Sequence, residues 1–156
     1  MSLLEASKRG DLDHVRQLLS AEPGGKGANP NVTDEEGRTP LYMASLFGRL
    51  EVVKELLSAP GGGANPNIAT KDGRIPLYWA SYYDHLEIVK VLLAAGADPS
   101  VANKNGNTPL LCAIINKHFE VIELLETYFP SLVQLSLRSI RKFKIGVSSI
   151  PENLLE

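Results

Sequence analysis

Only one cysteine, Cys112, occurs in the 156 residues, so neither an internal disulfide nor a cysteine-based metal site is available to hold a fold together. That fits a reducing compartment. Charge of one sign is also lacking: 16 Lys and Arg stand against 18 Asp and Glu, a formal net charge of −2. So small a net charge does not hold nucleic acid or an acidic membrane by counterion release, and neither partner is expected from the surface as a whole. No apolar run approaches the roughly 18 residues of a membrane-spanning helix. The stretch from Met1 to Arg9 lacks the charged start and apolar core of a signal peptide. Secretion is therefore not expected, and the Asn31-Val32-Thr33 sequon reads as an accident of composition. A cytoplasmic protein is the expectation, with the nucleus left open.

What the sequence has is repetition. Gly37-Arg38-Thr39-Pro40-Leu41-Tyr42 returns as Gly73-Arg74-Ile75-Pro76-Leu77-Tyr78 and Gly106-Asn107-Thr108-Pro109-Leu110-Leu111, in steps of 36 and 33 residues. Gly27-Ala28-Asn29-Pro30-Asn31 returns as Gly63-Ala64-Asn65-Pro66-Asn67 and Gly96-Ala97-Asp98-Pro99-Ser100, in the same two steps. Two registers with one spacing mark a structural repeat. Within each unit the residues dictate a helical hairpin. Thr39 and Thr108 can cap a helix, and Pro40, Pro76 and Pro109 fall at the first helical position, where a missing N–H costs nothing. Gly48 can close the first helix. Leu50, Val52, Val53, Leu56 and Leu57 then give a second, amphipathic helix, as do Leu86, Ile88, Val89, Leu92 and Leu93, and Phe119, Val121, Ile122, Leu124 and Leu125. The extra residues of the longer step lie around Pro60-Gly61-Gly62, after a second helix, with a bulkier counterpart in Glu22-Pro23-Gly24-Gly25-Lys26. Loops there lengthen at small entropic cost.

A period near 33 with Thr-Pro-Leu followed two residues later by Ala resembles the ankyrin-repeat family. The resemblance implies an all-α solenoid of about four helix-turn-helix repeats joined by β-turn tips: a half-repeat cap over 1–31 and repeats over 32–67, 68–100 and 101–129. Departures carry consequences. Tyr42, Tyr78 and Leu111 stand where the family has His. Ile75 replaces a capping Thr, which predicts a helix start weaker by roughly 1 kcal/mol. Asp84 and Lys117 occupy the register of Gly48, where a left-handed backbone is tolerable for Asp and unfavourable for Lys. The third and fourth repeats are expected to be the less stable ones.

No catalytic constellation emerges. Gly24-Gly25-Lys26-Gly27 does not fit a phosphate-binding loop, because Gly27 stands where Ser or Thr must meet Mg²⁺. His85 and His118 recur 33 residues apart and mark a structural slot at the start of each second helix; His14 is alone, and no carboxylate or thiol cluster joins them. Cys112 reads as a small buried filler without a catalytic partner. No enzyme activity, cofactor or metal is expected.

Partners of such solenoids, the resemblance implies, meet the turn tips and the exposed inner-helix residues of the concave face. Those inner positions are Leu46 and Phe47, Tyr82 and Tyr83, Ile115 and Asn116, with Lys8 and Arg9 in the cap. The tips add Glu35, Glu36 and Arg38, then Lys71, Asp72 and Arg74, then Lys104, Asn105 and Asn107. An aromatic stripe through Tyr82 and Tyr83 suits a protein interface, since such rings carry large contact area at few rotatable bonds. The competing reading packs Leu46, Phe47 and Ile115 between repeats, beside Met43 and Trp79. A monomer that captures one target protein is the expectation.

After Leu125 the repeat stops. Ser131, Leu132 and Ile140, followed by Arg141 and Lys142, resemble the elongin-binding box of the ankyrin-and-SOCS-box family, with Leu135 alongside and Ser136 where that family has Cys. Ile150, Pro151 and Leu154 resemble its cullin-selecting segment, and the chain ends where the family places a Tyr-Leu pair. The resemblance implies recruitment of elongin B, elongin C and a cullin, with the chain as the substrate-recognition subunit of a ubiquitin ligase. At about 100° per residue the apolar positions from Leu132 to Ile140 sweep roughly 200°, about twice what packing on one neighbour needs. Two other readings stay open: residues 130–156 as a cap on the solenoid, or the basic cluster Arg138, Arg141, Lys142 and Lys144 as a local membrane or nucleic-acid patch.

Overall fold

A computed structural model describes residues 1–20 and 27–129. The elongin-box residues Ser131, Leu132, Leu135, Ser136 and Ile140, the cullin-segment residues Ile150, Pro151 and Leu154, and most of the Gly24 to Gly27 stretch lie outside them. The described residues form eight helices and no strand: α1 Leu3–Arg9, α2 Leu12–Leu19, α3 Pro40–Leu46, α4 Leu50–Leu57, α5 Pro76–Tyr82, α6 Leu86–Ala94, α7 Pro109–Asn116 and α8 Phe119–Glu126. Odd-numbered helices stack on one another in order as an inner layer, even-numbered helices as an outer layer, and each pair forms a hairpin.

The helix starts follow the capping logic, with one instructive exception. Ser2, Asp11, Thr39 and Thr108 each accept a hydrogen bond from the backbone N–H three residues on. Ile75 holds the same extended backbone as Thr39 and Thr108 without a side-chain cap. The Tyr78 N–H that a threonine would have satisfied donates instead to the Ile75 carbonyl, at 3.1 Å. Ile75 is among the largest fully buried side chains. The side-chain cap is absent here, as expected of Ile in place of Thr, and burial of the apolar side chain, worth about 1.5–3 kcal/mol, offsets its loss.

The turn from inner to outer helix needs a left-handed residue in every unit. Gly10, Gly48, Asp84 and Lys117 all have φ between 60° and 80°, and Asp84 and Lys117 are the non-glycine residues at positive φ among those described. At Gly48 a side chain is disfavoured twice over, by the left-handed backbone and because an added Cβ would lie 2.8 Å from the His85 ring, which would have to shift. The residue after two of these turns reaches back across the joint. Arg49 Nε donates to the Lys8 carbonyl at 3.1 Å, and His118 Nδ1 lies 3.0 Å from the Ser81 carbonyl oxygen. His85 and His118 thus occupy the structural slot that their spacing indicated.

The second register of the repeat makes a polar ladder. Asn31 donates from its amide to the Gly63 carbonyl and accepts from the Asn65 N–H at 2.7 Å, while Asn67 repeats both bonds with Gly96 and Asp98. Asn31 is therefore occupied in joining repeats. The tips join too, through Lys71 N–H to the Glu36 carbonyl and Lys104 N–H to the Asp72 carbonyl. Between the layers lies the core, with Leu41, Leu77, Val53, Val89, Leu56, Leu92 and Leu125 all fully enclosed.

At the inner-helix joints the residues are small: Ala6-Ser7, Ala44-Ser45 and Ala80-Ser81 have no exposed surface. The three serine hydroxyls have no hydrogen-bond partner. An unsatisfied buried polar group costs about 1–3 kcal/mol, whereas an apolar replacement of similar shape does not. We expect Ser45→Ala and Ser81→Ala each to raise the melting temperature by about 2–4 °C, the shift for roughly 1 kcal/mol in a chain of this size. Thermal unfolding followed by circular dichroism checks this, and a fall in either variant would mean that the hydroxyls are bonded in solution.

Candidate protein-binding face

The expected concave-face residues fall into two groups. Phe47, Tyr82, Tyr83 and Ile115 are exposed, and so are the tip residues Glu35, Lys71 and Lys104. This removes Phe47 and Ile115 from the inter-repeat packing proposed as their alternative. Leu46, Asn116, Arg38 and Arg74 are half-buried. Asn116 donates its amide to the Cys112 carbonyl one turn back in its own helix, at 2.9 Å. Arg38 is held by Asp34, Nε to Oδ2 at 2.7 Å. Burial pushes the Asp34 carboxyl up, but hydrogen bonds from the Arg38 backbone, the Arg38 guanidinium and the Glu36 N–H outweigh it and leave the carboxyl below its ordinary value. These polar groups brace the chain itself.

Trp79 is the centre of the face and is half-buried. Its ring meets Tyr42, Tyr78 and Tyr82 edge to face, with centroids 6.4, 5.2 and 5.5 Å away, and stacks on Tyr83 at 5.8 Å with planes 16° apart. Its indole N–H donates to the Tyr42 hydroxyl across the joint from α5 to α3. Tyr82 and Tyr83 touch edge to face at 4.9 Å. Arg74, expected as a tip charge, reaches Asp72 Oδ2 at 3.5 Å and lays its guanidinium over Trp79 and Tyr78, 5.3 and 5.6 Å from their centroids. Further along the face Lys8 stands over the Phe47 ring at 5.7 Å.

Helical spacing explains why one short helix carries most of this. Tyr78 and Tyr82, like Trp79 and Tyr83, lie four residues apart and so share a side of α5. Ala80 and Ser81, between them, point into the joint and are enclosed. Tyr82 is 37% exposed and Tyr83 49%. Their rings are presented to solvent on a support of Trp79, Tyr42 and Arg74, so little rotamer freedom remains to be lost when a partner docks. Offset and perpendicular aromatic pairs of this kind contribute about 0.5–1.5 kcal/mol each beyond area burial.

Among the described residues no group of three or more His, Cys, Asp or Glu side chains is placed to hold a metal ion, and no helix is long and apolar enough to cross a membrane. Cys112 is buried under Tyr78. Burial pushes its thiol up, outweighing the Tyr78 hydrogen bond and the Arg74 charge that favour the thiolate. A protonated, enclosed thiol is a poor nucleophile. In the native chain at neutral pH, Cys112 should resist a disulfide reagent for hours and react within minutes in denaturant. Thiol titration in both conditions checks this, and fast native labelling would contradict the burial.

A family model of ankyrin repeats, three copies long, matches residues 3–103 and, overlapping it, 63–129. The matched residues take in all eight described helices and the whole aromatic face. Helical hairpins stacked in order and the turns that join them agree with that match. The chain belongs to the ankyrin-repeat family, whose repeats are protein-protein interaction modules.

Proposed function

We propose that the chain captures a target protein on the concave face, with Tyr82 and Tyr83 as the anchoring side chains and Phe47, Ile115, Glu35, Lys71 and Lys104 around them. One observation carries the reading: two neighbouring tyrosine rings stand exposed on a rigid support of Trp79, Tyr42 and Arg74. Packed aromatic anchors of this type dominate interface energetics. The mixed charges of the tips suit discrimination among proteins better than the tracking of a polyanion. Replacing both tyrosines by alanine should weaken target binding at least thirtyfold, about 2 kcal/mol, while the lost ring contacts with Tyr78 and Trp79 lower the melting temperature but leave the chain folded at 25 °C. The sole tryptophan, Trp79, lies against both rings and supplies the signal. Its fluorescence should shift on titration with the target, and unchanged affinity in the double variant would place the anchors elsewhere.

A finer role is proposed for residues 130–156: recruitment of elongin B and elongin C, and through them a cullin, which would make the chain a cytoplasmic substrate-recognition subunit of a ubiquitin ligase. Its support is the sequence pattern Ser131-Leu132, Ile140-Arg141-Lys142 and Ile150-Pro151 with Leu154, following a repeat domain. Against purified elongin B–elongin C complex, calorimetry should detect binding by the full chain. Leu132→Ala should abolish it with little change in melting temperature. Ser136→Cys should strengthen it, because a thiol loses less than a hydroxyl on entering an apolar pocket. No heat with the unmodified chain retires the ligase role and leaves target capture untouched.

A further inference from the structure

The joints between repeats share one construction, and the outer end of the fourth repeat departs from it where a following unit would press. Ser7, Ser45 and Ser81 are 0% exposed, each enclosed at an inner-helix joint. In the same register α7 carries Ile114, which is 41% exposed. The residue after Thr-Pro-Leu or Ile-Pro-Leu is Tyr42 or Tyr78 in earlier units, 5% and 6% exposed, and Leu111 in the last, 38% exposed. Ile115 and Tyr128 are exposed on the same repeat, so half of the eight exposed large hydrophobic residues among those described belong to it. A joint fitted to serine has no room for isoleucine at the same helix spacing, since close-packed interiors feel the addition of single methylenes. The end is apolar, yet it is not shaped for another repeat of this kind.

We propose that the chain's own residues 130–142 cover this end, docking Val133 and Leu137 on Leu111 and Ile114. Three features favour this occupant over a second copy. Phe129, three residues beyond the end of α8, packs against the core, so the segment that follows is tethered to this same repeat. A tethered segment acts at a local concentration in the millimolar range, far above that of a free copy. A copy stacking head to tail would bring the first repeat, whose one exposed large hydrophobic residue is Met1 and whose outer residues include Lys8 and Arg9. The charges agree as well: α8 exposes Glu120, and the segment carries Arg138, Arg141 and Lys142. On a helical wheel at about 100° per residue, Val133 and Leu137 fall about 40° apart and well away from Leu132. Ile140 of the elongin-binding box falls only about 20° from Val133, so the cover would share the edge of its flank with that box; exchange measured on the full chain without elongins reads the cover alone.

Hydrogen exchange of the full chain tests it. Val133→Asp with Leu137→Asp should speed exchange of the α7 and α8 amides at least tenfold and leave α1 to α4 unchanged. Leu111→Ser with Ile114→Ser should do the same, and joining the two pairs should add little, because each removes one side of a single contact. Unchanged exchange in the first pair, or effects that add fully, would overturn the proposal. So would a dimer of the unmodified chain at micromolar concentration in analytical ultracentrifugation that the Leu111→Ser, Ile114→Ser variant loses, which would put a second copy on this end.

Discussion

Neighbouring inner helices lie so close that only Ala and Ser fit between them, and the rest of the molecule is arranged around that spacing. Ala44-Ser45 and Ala80-Ser81 are wholly enclosed, which forces the next two residues of each helix outward onto the concave face. The same closeness lets Arg49 and His118 reach a carbonyl of the preceding repeat, and sets the His85 ring 2.8 Å from where a Cβ on Gly48 would lie. It also brings the Asn31 and Asn67 amides within bonding distance of the following unit. Each repeat is thus specified by its neighbour through apolar stacking, a clasp at the helix turn and a rung of the ladder. A solenoid of this kind derives its stability from nearest-neighbour interfaces.

The candidate binding face is a by-product of that spacing, refined by one helix. Tyr82 and Tyr83 project because Ala80 and Ser81 point inward, but projection alone would leave them free to rotate. Trp79 removes that freedom. Its hydrogen bond to Tyr42 anchors it to the preceding helix, and Arg74 closes its remaining side. The arrangement concentrates rigid apolar area in the third repeat, while the flanking repeats offer Phe47 with Lys8 on one side and Ile115 on the other.

Departures from the repeat pattern have unequal consequences. Ile75 loses a cap and gains burial, so its helix starts in the same geometry as the others. Asp84 and Lys117 take a left-handed backbone that glycine adopts without strain, because the turn is imposed by the packing of both helices around it. Ile114 changes the meaning of its position altogether. Where earlier units carry serine for a close joint, the last carries a branched apolar side chain at the end of the described solenoid.

Local chemistry was legible in the residues alone. Thr-Pro at a helix start, a left-handed residue at the turn, and apolar spacing on the second helix are properties of a few consecutive residues, and their recurrence every 33 to 36 positions identified the architecture and the inner positions that face outward. The exposure of Tyr82 and Tyr83 follows from that register. What the repeat could not distinguish was which of its outward residues stay available. Arg38 and Arg74 share a register, yet one pairs with Asp34 and the other stacks on Trp79; Leu46 and Phe47 are adjacent, yet only Phe47 is exposed. The Trp79 contact with Tyr42 joins residues 37 apart, and the Arg49 contact with Lys8 joins residues 41 apart. Such contacts depend on the distance and rotation between stacked helices, which all the side chains of a joint settle together. Only the tertiary structure decided them, because no local pattern encodes how closely two helices approach.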